Sequence, residues 1–257
     1  MQNTRIIFDN LWQNGTLLAA SSEDPQCPKE YTQDDDTTLV WKTASGAISG
    51  VTIDCDFGSA LPFNYISLLN QNFSAGVTAT IKGADNSGFS TNVVTVTLTY
   101  NMTNLRQYFS TMTKRYCRIT ITDSGNAYNC IQIGTIIVGQ YRDLGSQPLK
   151  GIGDGVNPYD QTEKSPSGNL FMTQESAPRR AFTFTWTPSL SDTAKGYWIS
   201  LLQRNRLAYA FEICFDYTDP NNNTYWVVLT EMDIPKNVSG SPTGMRWNFT
   251  VSIEEHA

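Results

Sequence analysis

The chain has 257 residues, 16% of them charged, with 18 Lys and Arg against 24 Asp and Glu and a formal net charge of −6. That balance offers no basic footprint for a phosphate backbone, which argues against nucleic acid as a partner. No apolar run approaches the roughly 18 residues of a membrane-crossing helix, so no membrane insertion is expected, and the length suits one large or two ordinary domains.

The opening segment, "MQNTRIIFDN", lacks the basic start, apolar stretch and small-residue cleavage site of a secretion signal, so synthesis in the cytoplasm is expected. Segments of alternating hydrophobicity follow, up to about residue 140, separated by Gly, Asn, Asp and Pro clusters. "TRIIF", "GVTIDCDF", "FNYISLLN", "GVTATIKG", "NVVTVTLTY", "RYCRITIT" and "CIQIGTIIVG" predict strands, rich in the β-branched and aromatic side chains that suit a pleated surface. The fold class is therefore mainly β, with residues 1–140 a β-sandwich or jelly roll whose loops gather at its ends.

Residues 141–180 break this rhythm with repeated Gly and Pro and predict an extended linker or arm. Its "GIGDGVNP" run lacks the Gly-Lys-Ser/Thr ending of a phosphate loop. Residues 181–257 predict a small α+β domain. "AFTFTWT" places Phe182, Phe184 and Trp186 on one face, and a helix from about Ser189 or Ser191 carries Tyr197, Trp198, Leu201, Leu202 and Asn205. Strands at "AYAFEICFDY", "TYWVVLT" and "MRWNFTVSIEE" complete an antiparallel sheet, the first two joined by hairpin chemistry at "TDPNNN". Trp186, Trp198, Trp226 and Trp247 are expected in its core, and Glu212 and Asp216 on an edge facing solvent or another subunit.

Cys27, Cys55, Cys117, Cys130 and Cys214 are odd in number with no C-x-x-C pair, which predicts small buried hydrophobes in place of a disulfide framework. Cys55 alternates with Val51, Ile53 and Phe57, and Cys117 with Ile119 and Ile121. The one histidine, His256, sits at the penultimate position, where a fraying terminus is a poor support for catalytic geometry. The chain is accordingly read as no enzyme, with no cofactor.

The segment from "DDDTTLVWKT" through "ISGVTIDCDFGSALPFNYISLLNQNFSAGVTATIKGADN" resembles the discoidin, or coagulation-factor C-type, domain, a galactose-binding-like jelly roll. The matching pieces are a loop ending in a core Trp, here Trp41, then "VTIDCDFG", "FNYISLLNQNFS" and "GVTATIKGADN" in that order. Phe57 replaces the usual Leu of the family's "iDlG" element, and Cys55 precedes Asp56. With the arm, the α+β domain and the ending "VSIEE", the whole chain resembles a minor tail protein of a tailed bacteriophage. That resemblance implies a structural role in a tail tip or baseplate, several copies in a ring around the tail axis, contacts with other tail and baseplate proteins, and a place in the virion. The jelly roll implies a second reading, a lectin-like module for a host-surface polysaccharide.

Two candidate sites follow. Asp34, Asp35 and Asp36 form the densest acidic cluster, either a solvated loop or ligands for a hard cation such as calcium, which some galactose-binding-like domains hold near this loop. Sugar binding needs an aromatic platform beside amide or carboxylate groups. Tyr31, Phe89, Tyr108 and Tyr128 supply the platforms, with Asp85, Asn86, Asn126 and Asn129 as the polar partners.

Overall fold

In the computed structural model, residues 3–101, 104–146, 149–157, 160–164, 170–174, 179–205, 210–233, 236–241 and 244–256 are described. The first part of the chain forms β1 (Arg5–Ile7), α1 (Leu11–Asn14), β2 (Thr16–Ala20), β3 (Trp41–Lys42), β4 (Val51–Leu68), β5 (Thr78–Ala84), β6 (Val94–Leu98), β7 (Leu105–Thr122), β8 (Gln132–Ile133), β9 (Ile136–Gly139) and β10 (Arg142–Asp143). β11 (Leu149–Asn157), β12 (Asp160–Lys164), β13 (Leu170–Gln174), β14 (Arg179–Leu190), α2 (Asp192–Asn205), β15 (Ala210–Cys214), α3 (Pro220–Asn223), β16 (Thr224–Met232), β17 (Lys236–Ser241) and β18 (Gly244–Glu255) follow. These group into two compact units. One comprises Arg5–Arg142 with Asp216–Thr224, and the other Met1–Thr4, Asp143–Phe215 and Tyr225–Ala257.

The first unit is organised by β4 and β7, antiparallel partners of 18 residues each. Alternation in "VTIDC" and "CRITI" puts Val51, Ile53, Cys55, Cys117, Ile119 and Ile121 on one buried face. Register shifts between Asp56 and Leu61 and between Phe63 and Tyr65 bend the pair. Both halves still reach one apolar cluster, which takes in Phe63, Ile66 and Leu68 beyond the bends, so the strands cover the core from two sides as a sandwich. The sheet order is β2-β4-β7-β5-β6, with β9 on the far half of β4, and β3 pairs with β8 apart from it. Trp41 is fully buried in that cluster, as the discoidin-like pattern implies, and Phe57 packs edge-on to Phe63 with centroids 5.5 Å apart.

Polar side chains fix the pieces around this core. Buried Asn10 caps α1 by accepting from Trp12 N–H at 3.1 Å, donates to Ile136 O at 3.0 Å and accepts from Val138 N–H at 3.1 Å. Trp12 in turn donates its indole N–H to Thr32 Oγ1 at 3.0 Å. The β6 edge is partly occupied by Gln107, which donates to Thr97 O at 3.0 Å and accepts from Thr99 N–H at 2.7 Å, as a neighbouring strand would. On the outer face Arg118 forks onto Asp54 at 2.7 and 2.6 Å, and Arg115 onto Asp56 at 2.8 and 2.9 Å.

The "TDPNNN" connection, expected as a plain hairpin, contains α3 and joins the first unit. Asn221 Oδ1 accepts from Arg106 N–H at 2.9 Å, and Tyr217 stacks under the Arg5 guanidinium at 3.8 Å. The same guanidinium lies 4.1 Å from the Tyr141 ring and 4.6 Å from that of Tyr108.

In the second unit the strand order is β15-β16-β18-β14-β11, with β17 on β18. Phe182, Phe184 and Trp186 are buried on one face of β14, while Thr183 and Thr185 on the other meet Ser252 and Thr250 across β18 at 3.1 and 3.0 Å. α2 starts where Ser191 Oγ accepts from Ala194 N–H at 3.2 Å, the N-cap pattern that the sequence announces. Trp198 and Leu201 are buried, Tyr197 and Leu202 half-buried. The side chain of Asn205 lies outside the described residues. Trp186, Trp198 and Trp226 are buried, whereas Trp247 is half-exposed and donates its indole N–H to Asp192 at 2.6 Å. Three expectations need correction. Residues 141–180 hold paired strands, β11 against β14 and β12 against β13, because backbone pairing needs no side-chain periodicity. Glu212 is fully buried and is no surface edge residue. His256 is tied down by its N–H to Trp226 O at 2.9 Å.

None of the five cysteines is in a disulfide, with Cys55, Cys117 and Cys214 buried and Cys27 and Cys130 half-buried. Burial, with Asp56 and Asp54 adding to it, pushes the Cys55 thiol up to about 12, and burial raises that of Cys117 well above the ordinary thiol value. A disulfide reagent at about pH 8 is therefore expected to titrate Cys27 and Cys130 in the native protein and to reach Cys55 and Cys117 only on unfolding. Mass-spectrometric mapping of the labelled thiols checks this, and native labelling of Cys55 would refute it.

Candidate functional site

Short polar residues after β7 force a compact loop, since Asp, Ser, Gly and Asn at 123–126 favour successive turns. Asn126 N–H donates to Asp123 O at 3.0 Å and Asn129 N–H to Asn126 O at 3.1 Å. Tyr128 N–H donates to Asn126 Oδ1 at 2.9 Å. Asn129 sits in the left-handed region at φ 54°, a conformation Asn tolerates better than most residues.

Asp123 is the hub of this loop. It is 0% exposed, and its carboxylate accepts from Ser74 N–H at 2.8 Å, from the Ser74 hydroxyl and from the Asn126 amide at 3.0 Å. Asp123 N–H itself donates to Ile48 O at 2.7 Å. Asn72 makes a second staple, donating to Cys130 O at 2.9 Å and accepting from Gln132 N–H at 2.8 Å. Gly46 N–H donates to Asn129 O at 2.8 Å, and the Asn129 amide reaches Ser45 Oγ at 3.2 Å. Three loops, 43–50, 69–77 and 123–131, are thus bonded together at one end of the sheet.

Tyr128 crowns that end. It is 75% exposed and is the only exposed aromatic among the described residues whose side chains are placed. Its backbone is held while its ring is free, which is the arrangement a stacking platform needs. Asn129, Ser45 and Ser124 flank it with exposed amide and hydroxyl groups.

The structure keeps Asn126, Tyr128 and Asn129 together and separates the other sequence candidates from them. Asn126 is buried and spends its amide on Asp123 and on Asn72 O at 3.1 Å, so it positions the loop and offers nothing to a ligand. Asp85, Asn86 and Phe89 lie in the loop after β5, at the opposite end from the loop that precedes it. There Asn86 accepts from Ser90 and Thr91 N–H at 3.0 and 2.9 Å, bracing its own turn. Asp85 pairs with Asn92 at 2.7 Å and Lys114 at 3.0 Å, which hold its carboxyl below the usual range. Phe89 lies under the Arg118 guanidinium at 4.2 Å. Tyr108 belongs to β7, packed against Tyr65, Tyr141 and Arg5. Tyr31 is half-buried on a single 3-10 turn, Lys29–Gln33, whose Gln33 donates to Trp12 O at the end of α1.

The acidic run is likewise dispersed. Asp34 Oδ1 accepts from Asp36 N–H at 2.9 Å, Asp36 Oδ1 from Thr38 N–H at 2.9 Å, and Asp35 Oδ1 from the Gln13 amide at 2.9 Å. Among the described residues no three His, Cys, Asp or Glu side chains come together as metal ligands, so Asp34, Asp35 and Asp36 build no calcium cage in this arrangement. Sequence reasoning missed Asp123, Asn72, Ser74 and Ser45, although the turn composition at 123–126 was visible.

No family model matches this sequence, and no curated protein matches it. Solved structures do. Chitosan-binding module 1 of a chitosanase/glucanase from Paenibacillus sp. IK-5 is 25% identical and aligns over 51% of this chain and 98% of its own, with a TM-score of 0.42. Module 2 of the same enzyme, in complex with chitotriose, is 22% identical over 51% of this chain and 99% of its own, TM-score 0.43. CBM32-3 of a family 31 glycoside hydrolase from Clostridium perfringens is 20% identical over 52% and 95%, TM-score 0.42.

Replacing Asp123 by Ala strands the Ser74 and Asn126 donors and is expected to cost about 2–3 kcal/mol of stability. Hydrogen exchange should speed up across 123–131 first. Unchanged protection there would show that the loop does not depend on this carboxylate.

Proposed function

We propose that the first unit is a non-catalytic carbohydrate-binding module that receives its ligand on Tyr128. The observation that carries this reading is a single ring left in water on a loop whose backbone is bonded from every side. A pyranose presents an apolar C–H face and a rim of hydroxyls, and it matches a phenol ring set among amides and small hydroxyl side chains. Preorganisation lowers the cost of binding, because the loop need not be ordered when the sugar arrives. Tyr128 stacks the sugar, Asn129 and Ser45 bond its hydroxyls, and Asp123 and Asn126 act beneath them as positioning residues.

The tail-tip or baseplate reading, with its ring of copies, its tail-protein partners and its virion location, draws no support from the fold, from this loop end or from the proteins named above. The lectin-like alternative is the one the geometry favours.

Affinity electrophoresis or a glycan array with the wild type and Tyr128→Ala tests the proposal. The variant should keep its melting temperature, since the side chain is in solvent, and should bind at least ~10-fold more weakly, equivalent to about 1.4 kcal/mol. Equal binding by the two proteins would place the ligand elsewhere.

A further inference from the structure

The distribution of charge over the first unit is uneven. The segments that meet at the Tyr128 end are 43–50, 69–77, 99–101 with Asn104, and 123–131. The third joins through Gln71, whose amide donates to Asn101 O at 2.8 Å, and through Asn104, which accepts from Asn70 N–H at 3.0 Å. In sequence these segments contain no Lys, Arg, Glu or His, and their one Asp is Asp123. That carboxylate is fully buried and directed inward at Ser74 and Asn126. The opposite end and the outer face of the sheet hold Asp54, Asp56, Asp85, Lys114, Arg115 and Arg118, drawn into ion pairs. The charges bordering this end lie on neighbouring segments and are already engaged. Asp24 N–H donates to Lys42 O at 2.8 Å, and Glu23, next to the Ser22 hydroxyl that accepts from Ala44 N–H at 3.0 Å, pairs with Lys29. Asp36, next to the Thr37 carbonyl that accepts from the Asn70 amide at 2.8 Å, accepts from Thr38 N–H at 2.9 Å.

A charged sugar docked on Tyr128 would give up part of the water around its carboxylate, sulfate or ammonium and find no counter-charge among these four segments. The net charge of −6 adds a long-range repulsion against polyanions. For a polyamine, the only carboxylate of these four segments is turned away. Hydroxyls and acetamido groups meet no such penalty, because the exposed side chains here are hydroxyls and amides that both donate and accept.

We infer that the Tyr128 end selects uncharged sugars, neutral hexose or N-acetylhexosamine chains, over uronate, sulfated or free-amine polymers. This rests on the carbohydrate reading above and narrows it to a ligand class. Binding is accordingly insensitive to ionic strength.

Affinity electrophoresis with the whole chain, in gels carrying neutral polymers (galactan, glucan, mannan, glycol chitin), anionic ones (polygalacturonate, alginate, dextran sulfate) or a cationic one (chitosan), tests it. Retention is expected only in neutral gels. Isotherms with the retained polymer should change less than about 2-fold between ~50 and ~500 mM salt, and Tyr128→Ala should remove the retention. Preferential retention by a charged polymer, lost in Tyr128→Ala, would overturn the selectivity and leave the carbohydrate reading standing. Retention that Tyr128→Ala does not alter would overturn the assignment to this end, and no retention by any polymer would overturn both.

Discussion

The pairing of β4 with β7 is the constraint on which the rest of the first unit depends. Each strand is long enough to serve both layers of the sandwich, and their shared bends turn one hairpin-like ladder into two walls around a single core. β2 and β9 then add to β4, β5 adds to β7, and β6 adds to β5. The loops at each end inherit their positions from this ladder: 123–131 leaves β7 where β4 begins, and 69–77 returns from the far half of β4 to start β5 beside it. Asp123, at that crossing, meets Ser74 because the strands deliver both there.

A buried carboxylate accepting from a backbone N–H, a hydroxyl and an amide is a strong tether, since each bond is charge-assisted and withdrawn from water. It explains how a loop of small polar residues holds one geometry without an apolar core of its own. The same economy recurs at Asn10 and Asn72, whose amides each donate to and accept from one distant backbone segment, 136–138 and 130–132. The consequence for function is a surface whose backbone is fixed while its outward side chains remain available, the condition under which one exposed ring can serve as a binding platform.

Aromatic residues are used differently elsewhere. Tyr108, Tyr141 and Tyr217 surround Arg5, and this cluster brings residues 216–224 into the first unit although they lie far along the chain. In the second unit Phe184 meets Trp186 and Trp198 meets Phe211 edge to face, with Trp186 tilted against Trp198, within the sheet-helix core. Charge is uneven as well, with the ion pairs of Asp54, Asp56 and Asp85 on the outer face and at one end of the sandwich and hydroxyls and amides on the segments around Tyr128.

Local composition by itself determined the β character of the chain, the strands at "GVTIDCDF" and "RYCRITIT", the buried Trp41, the start of α2 at its Ser cap and the burial of Cys55 and Cys117, because side-chain alternation and capping are properties of neighbours in sequence. The first half of β7, "LRQYFSTMT", was not legible, since it is covered unevenly and shows no clean alternation. The pairing of β11 with β14 left no trace either, because backbone hydrogen bonds ask nothing of the side chains. Phe89, Tyr108 and Tyr128 look equivalent in sequence, each an aromatic among polar residues. Only the tertiary structure put the first under Arg118, the second against Arg5 and the third in water, because an aromatic ring's exposure is set by which distant strands and loops reach it.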